Sequence, residues 1–217
     1  MILKQLVIPY LNNNGNIEEV SKSLDAQFKI LIDKTNWLEY PYKPKISFAM
    51  AYDSHHLFLK YYITEKNACA VTSQINGPVW EDSCCEFFCS FDDSETYYNI
   101  ETNCIATILA GWHPNKESSV LLPESKIQTI KAVSSLGNSP MSVKGIIKWE
   151  LTLIIPASVF IGHPKLKFVK GMSFRANFYK CGDKTEIPHF LSWNPIKTLK
   201  PDFHQPEYFG KIMINRD

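Results

Sequence analysis

The sequence lacks the motifs that build phosphate-binding and many catalytic sites. It has only nine glycines, and none of them forms a Gly-x-Gly-x-x-Gly or P-loop stretch whose backbone amides could cradle a phosphate. A Gly-x-Ser-x-Gly elbow and a His-Glu-x-x-His motif are also missing, and the six histidines show no metal-ligand spacing. We therefore expect no catalytic residue and no histidine-based metal centre.

The chain also lacks a strong charge bias and a long apolar run. Its formal net charge is +1, and no dense run of Lys and Arg could follow a phosphate backbone, so nucleic acid is not an expected partner. No apolar run approaches the roughly 20 residues of a membrane span. The apolar N-terminal stretch is too short for a signal peptide. The sequence decides neither the localisation nor the oligomeric state of the protein.

Cysteine motifs are scarce as well, because the six cysteines include no Cys-x-x-Cys pair. Cys84 and Cys85 are adjacent in a predicted strand, so their side chains point to opposite faces and cannot share one partner region. Buried free thiols are favoured over disulfides, and they mildly favour a reducing, cytoplasmic setting.

Aromatic residues, by contrast, are abundant at 13% of the chain, which suits a β-rich core. Most segments alternate with period two, whereas Ile17, Val20 and Leu24 indicate one short helix behind an Asn16 cap. The predicted strands include Ile46–Tyr52, Leu57–Ile63, Cys84–Phe91, Tyr97–Asn103, Ile127–Val133, Ile146–Ile154, Ser173–Tyr179 and Gly210–Ile214. We expect an all-β antiparallel sandwich of the immunoglobulin/DOMON-like jelly-roll kind with one or two short helices, in one domain over residues 1–217. Long surface loops are expected at Gly111–Ser125 and Asp183–Gln205.

Three of these strands place polar, planar groups opposite an apolar face. The polar faces carry Glu86 in the first strand, Tyr97, Asn99, Glu101 and Asn103 in the second, and Arg175, Asn177 and Tyr179 in the third. A solvated outer face is the ordinary explanation of such alternation. Carboxylates, amides and Arg are nonetheless the groups that hydrogen-bond sugar hydroxyls, so the pattern also fits carbohydrate recognition.

Recognition of a sugar also needs a flat aromatic side chain on which the C–H face of the ring can stack. Loop positions make Trp80, Trp112, Trp193 and Phe203 the candidates, although core packing explains most buried aromatics. Trp80 and Phe203 are flanked by Pro, Asp and Glu, which makes them the better platforms. Trp37 and Trp149 are assigned to the core.

Five blocks of sequence resemble carbohydrate-binding module family 9-like domains. In chain order they are Trp80–Phe88, Tyr97–Glu101, Phe174–Lys180, Leu191–Pro195 and Pro201–Gly210. The resemblance runs from about Trp37 to the C-terminus and implies a β-sandwich shared with DOMON domains. Characterised members hold a terminal sugar between two aromatic side chains, often beside xylan- or cellulose-degrading glycoside hydrolases, and can carry structural calcium.

The resemblance assigns Trp80 to the first sandwich aromatic, Glu86 to the acid six residues later and Phe203 to the second aromatic, where Trp is common. The ligand-binding residues predicted in total are Trp80, Glu86, Asn99, Glu101, Arg175, Asn177 and Phe203. No cofactor is expected. Asp92, Asp93 and Glu95 allow a structural calcium ion, although acidic turns are usually only solvated.

Non-catalytic binding of a mono- or oligosaccharide end, linked to polysaccharide catabolism, is the leading hypothesis. A glycoside hydrolase is the main alternative, because Glu81, Asp82, Glu86 and Glu101 could supply the paired carboxylates. Haem binding in the DOMON manner would need paired axial His or Met, which the sequence does not show. A sandwich domain that binds another protein through its aromatic face is the remaining class.

Overall fold

A computed structural model describes residues 3–13, 15–92, 95–115 and 117–214. Within these ranges the chain forms fourteen strands and two α-helices. The strands are β1 (Gln5–Ile8), β2 (Ile30–Leu31), β3 (Lys34–Thr35), β4 (Lys45–Tyr52), β5 (His56–Ala70), β6 (Cys84–Ser90), β7 (Tyr97–Asn103), β8 (Ile108–Asn115), β9 (Ser118–Leu121), β10 (Lys131–Ser134), β11 (Met141–Pro156), β12 (Ser173–Cys181), β13 (Phe190–Ser192) and β14 (Gly210–Ile214). The helices are α1 (Ile17–Asp25) and α2 (Glu124–Ile127), and short 3-10 turns lie at Val79–Glu81, Ala157–Val159 and Pro206–Tyr208.

The strands form two sheets packed face to face, which confirms the predicted β-sandwich. The first sheet has the order β1-β14-β12-β6-β7-β8-β9, and β13 joins it between β12 and β3. The second has the order β10-β11-β5-β4-β2. Neighbouring strands are antiparallel except β1 and β14, which run parallel.

The main core lies between the sheets and is built from alternate residues of facing strands. Cys85, Phe87 and Cys89 of β6 point into it, together with Phe178 of β12. The Phe178 ring stacks on Phe48 of the opposite sheet at a centroid distance of 3.8 Å. The predicted apolar faces are confirmed, and side chains on the other face of the first sheet point away from this core.

That other face is also covered, by a second apolar cluster formed with the segment Asp183–Gln205. This segment was predicted to be a surface loop, but it contains β13, packs Trp193 into the main core and buries Phe203 in the second cluster. Burial of an irregular segment requires partners for its backbone. Asn177 provides two, because its amide accepts from the Asn194 N–H at 2.9 Å and donates to the Asn194 carbonyl at 3.1 Å.

The prediction of a loop over Gly111–Ser125 is wrong. Within it, residues 111–115 belong to β8, residues 118–121 form β9, and residues 124–125 begin α2. Gly111 lies opposite Asn99 of β7, where a Cβ would overlap the Asn99 amide oxygen, so glycine here serves close strand packing rather than a turn. The strand predicted at Ile127–Val133 is likewise shifted, because α2 ends at Ile127 and β10 begins at Lys131.

The predicted helix is confirmed as α1, whose first amides donate to the side chain of Asn16. Val20 and Leu24 bury its apolar face against the outside of the second sheet. No helix in the described ranges is long and apolar enough to cross a membrane.

Candidate functional site

A cavity of about 320 Å³ opens on the outer face of the first sheet. Its floor is set by the pairing of β6, β7 and β8, because Glu86 lies directly opposite Glu101 and Glu101 directly opposite Leu109. Side chains at directly opposite positions of antiparallel strands are close neighbours. The alternation of three strands therefore brings two carboxyl groups together on one floor.

A chain of hydrogen bonds runs across this floor. His113 Nε2 lies 3.1 Å from Asn99 Oδ1, and Asn99 Nδ2 donates to Glu101 Oε1 at 2.9 Å. Because the Asn99 oxygen can only accept, His113 must carry its proton on Nε2. The second oxygen of Glu101, Oε2, is buried and has no hydrogen-bond partner among the described residues.

Three carboxyl groups of the cavity, those of Glu86, Glu101 and Asp183, have raised pKa values. Burial raises the pKa of Glu101 to about 7, with a further contribution from Asp183, although the bond from Asn99 opposes the shift. Burial and the neighbouring Glu81 raise the pKa of Asp183 to about 6. Burial raises the pKa of Glu86 well above its usual range, and Cys181 and Glu101 add to the effect.

Two histidines at the cavity are neutral near pH 7. Burial lowers the pKa of His113 to about 4, and neighbouring His204 contributes. The pKa of His204 is also lowered by burial. The His113 ring stacks on Tyr97 at 4.1 Å, while the Tyr97 hydroxyl lies 3.0 Å from His204 Nδ1. The imidazoles therefore supply flat surface and hydrogen bonds but no positive charge.

Aromatic side chains form part of the wall. Trp80 is 37% exposed, which leaves much of its ring open to a ligand. Phe203 also lines the cavity but is only 8% exposed, because its ring stacks on Tyr179 at 4.2 Å. Phe203 can therefore present only the part of its ring that Tyr179 leaves uncovered.

The structure brings five of the seven predicted site residues together: Trp80, Glu86, Asn99, Glu101 and Phe203. The other two are not in the cavity lining. The Arg175 guanidinium donates to the Pro206 carbonyl and to Ser90 Oγ beside a different cavity. Asn177 is fully buried and binds the backbone of Asn194.

Sequence reasoning missed six lining residues with polar or ionisable side chains: His113, Ser119, Cys181, Asp183, Asp202 and His204. Cys181 continues the alternation of Arg175, Asn177 and Tyr179 by one more position, and His204 directly follows Phe203. His113 lies on the same face of β8 as Leu109. Its position could have been predicted if this segment had been recognised as a strand.

One group of potential metal ligands lies at the floor. Cys84, Glu86 and Cys181 each place a ligand atom within 4.8 Å of the others. Burial raises the pKa of the Cys84 thiol to about 12 and that of Cys181 well above its usual value, and a protonated thiol is a poor metal ligand. Cys181 instead donates to Glu86 Oε1 at 2.9 Å.

The acidic turn considered for calcium is only partly described. Asp93 lies outside the described residues, and the Asp92 carboxylate lies 3.1 Å from His163 Nε2. All six cysteines are free thiols, as predicted.

Known structures share this fold. The chain is 36% identical to a candidate carbohydrate-binding protein from Bacteroides uniformis ATCC 8492, with a TM-score of 0.94 over 99% of this chain and 100% of that one. It also resembles a family 9 carbohydrate-binding module from Caldicellulosiruptor kristjanssonii, at 10% identity. For its glucose complex the TM-score is 0.64, over 98% of this chain and 96% of that one. For its cellotriose complex the TM-score is 0.63, over 98% and 94%.

None of the curated proteins matches this chain. The family model for carbohydrate-binding family 9, however, matches residues 18–214. This range contains both sheets except β1 and every residue of the cavity described above. The chain belongs to carbohydrate-binding family 9.

Proposed function

We propose that the protein binds the end of a mono- or oligosaccharide in the cavity on the outer face of the first sheet, without cleaving it. The observation that carries the proposal is the exposed ring of Trp80 beside the buried groups of Asn99 and Glu101, in a chain of carbohydrate-binding family 9. A volume of about 320 Å³ lies at the lower end of the range for small-molecule sites, roughly 300–1,000 Å³.

The chemistry of the lining supports this ligand class. The C–H face of a sugar ring would stack on Trp80, and Phe203 would offer its uncovered part. Sugar hydroxyls donate to acceptors, and Glu101 Oε2 is an acceptor without a partner among the described residues. A protonated Glu86 carboxyl could in turn donate to a ring or hydroxyl oxygen.

In the proposal, the protein acts as a single domain over residues 1–217 and binds a polysaccharide that is being degraded. The binding mechanism needs no cofactor. A structural calcium ion near Asp92 and Glu95 stays a separate hypothesis, which calcium titration of the folded protein would test.

Calorimetry against glucose, cellotriose and a panel of other neutral saccharides tests the proposal. We expect Trp80→Ala to weaken binding of the best ligand about tenfold or more, which is about 1.4 kcal/mol. Phe28→Ala is the matched control, because Phe28 is an aromatic residue that is 83% exposed and lies beside a different cavity. Binding that is equally strong in Trp80→Ala, or no binding of any saccharide, overturns the proposal.

Glycoside hydrolysis is a second candidate function, which the pair of carboxyl groups on the cavity floor supports. Glu86 and Glu101 are directly opposite each other, and the high pKa of Glu86 would suit a general acid. Incubation of the protein with cellotriose and aryl glycosides distinguishes the two functions. Release of products that is lost in Glu86→Gln would establish hydrolysis, whereas binding without product release supports our proposal.

A further inference from the structure

The cavity has an unbalanced set of ionisable groups, with acids and no strong base among its lining residues. Four carboxyl side chains line it, those of Glu86, Glu101, Asp183 and Asp202, and none of the lining residues that the structure describes is Lys or Arg. Across the described ranges, no Lys, Arg or His side-chain nitrogen forms an ion pair with these four carboxyl groups, although the His204 backbone N–H donates to Asp202 Oδ1 at 2.9 Å. Glu81, just outside the lining, does have a counter-ion, because Lys184 Nζ lies 2.7 Å from it.

Neither histidine of the lining compensates for this imbalance. His113 and His204 are neutral near pH 7 because burial lowers the pKa of each. His113 also has to donate from Nε2 to Asn99, which a neutral ring does without carrying charge. An anionic ligand would therefore meet repulsion that no cation of the lining offsets, since the nearby Lys184 is already paired with Glu81.

Glu101 provides an independent sign that a donor is missing. The residue is 4% exposed and lines the cavity, and its Oε2 atom has no partner among the described residues, although Oε1 accepts from Asn99. Buried polar atoms are rarely left without a partner in native proteins. At Glu101, the described residues thus supply neither a hydrogen-bond donor for Oε2 nor a positive charge.

A hydroxyl can supply the donor but not the charge. A primary ammonium supplies both, because it carries three N–H donors and a full positive charge, and charge-assisted hydrogen bonds to a carboxylate are roughly twice as strong as neutral ones. The carboxyl groups of Glu101, Asp183 and Asp202 therefore favour a sugar that carries a positive charge over a neutral sugar.

We propose that the cavity prefers an amino sugar, with its ammonium group against Glu101, and discriminates against uronic acids and sulfated sugars. This inference rests on the proposed function, since it names the sugar class for the same site. Ammonium binding would favour the ionised form of Glu101 and of Asp183, so both would release protons when the ligand binds near pH 6.5.

Calorimetry with matched monosaccharides tests the preference. The probes are 2-amino-2-deoxyglucose, 3-amino-3-deoxyglucose, 6-amino-6-deoxyglucose, glucose, N-acetylglucosamine and glucuronate, at low and at high salt. We expect at least one of the amino sugars to bind about fivefold or more tightly than glucose, with an advantage that shrinks in high salt. Glucuronate should bind more weakly than glucose. N-acetylglucosamine controls for the size of the substituent at the 2-position without its charge.

Two variants locate the effect. Glu101→Gln should abolish the advantage of the amino sugar over glucose and reduce proton release, measured in buffers of different ionisation enthalpy. Glu18→Gln makes the same chemical change at an exposed position on α1, outside the second sheet, and should change neither.

The outcomes separate this inference from the function on which it rests. If glucose binds and Trp80→Ala abolishes that binding, but no amino sugar binds more tightly than glucose, the amino-sugar inference is wrong and saccharide binding stands. An advantage that persists in Glu101→Gln also overturns the inference. If no probe binds at all, both proposals fall.

Discussion

Two buried glutamates, Glu65 and Glu101, have opposite surroundings. Glu65 accepts from Trp149 Nε1 at 2.7 Å and forms an ion pair with Lys180 Nζ at 3.0 Å, with both side chains of that pair fully buried. Glu101 accepts from Asn99 on one oxygen and has no described partner on the other. The charge of Glu65 is therefore paired within the fold, and that of Glu101 is not. Oε2 of Glu65 has the Lys180 ion pair without an aligned hydrogen bond, whereas Oε2 of Glu101 has neither among the described residues.

The difference indicates which of the two carboxyl groups serves the fold and which serves a ligand. A buried carboxylate that has its counter-charge within the fold has no unpaired charge to offer a ligand. A buried acceptor left open at a cavity costs stability in the empty protein, and a ligand that supplies a donor recovers that cost. Substitution of each glutamate by glutamine should therefore have opposite consequences.

The largest effect is expected for Glu65→Gln. The change leaves the Lys180 ammonium buried without its counter-charge, although Lys180 Nζ still donates to the Cys181 carbonyl and contacts His189. We expect the free energy of unfolding to fall by about 3–5 kcal/mol, measured by denaturant titration at pH 7. Glu101→Gln is the matched control and should lower it by no more than about 1 kcal/mol. Equal losses in the two variants would show that the comparison is wrong.

The pH dependence of stability gives the next largest effect. Burial raises the pKa of Glu101 from 4.5 to about 7, so the folded protein holds this proton to a higher pH than the unfolded chain does. Glu101 thus stabilises the fold below about pH 4.5, and that contribution is lost as the pH rises through about 7.

The variant Glu101→Gln lacks this loss, so it should gain stability relative to the wild type as the pH rises from 5 to 8. The gain should be at most about 3 kcal/mol, measured as unfolding free energies of both proteins across this range. Glu18→Gln is exposed and should show no such trend. A constant difference between Glu101→Gln and the wild type would mean that Glu101 is not desolvated.

Period-two alternation was enough to predict two of the three floor strands, β6 and β7, and the face on which each of their side chains lies, but it missed β8. Tyr97–Asn103 and Gly210–Ile214 are strands with the predicted bounds. Glu86, Asn99 and Glu101 lie on one face because alternation is a local property of each strand.

Position across the sheet was not predictable in this way. Arg175 and Asn177 share the face of Glu86, but β12 lies to one side of it, and register places them beside Ser90 and Phe88 rather than in the cavity. Burial of the segment after β12 depends on side-chain amides distant in sequence, such as that of Asn36, which accepts from the Ile196 amide. Alternation within a strand carries no information about such partners.

The smallest expected effect compares two asparagines that the sequence did not distinguish. Asn177→Ala removes both hydrogen bonds to the Asn194 backbone and should lower the free energy of unfolding by about 1–3 kcal/mol, with sugar affinity of the folded protein unchanged. Asn99→Ala removes the described hydrogen bond to the Glu101 carboxyl group and the acceptor of His113 Nε2. It should weaken sugar binding, with a loss of stability of about 1 kcal/mol. Denaturant titration and calorimetry on both variants check this. Reduced affinity in Asn177→Ala alone would place the ligand beside β12, over the residues that register puts outside the cavity.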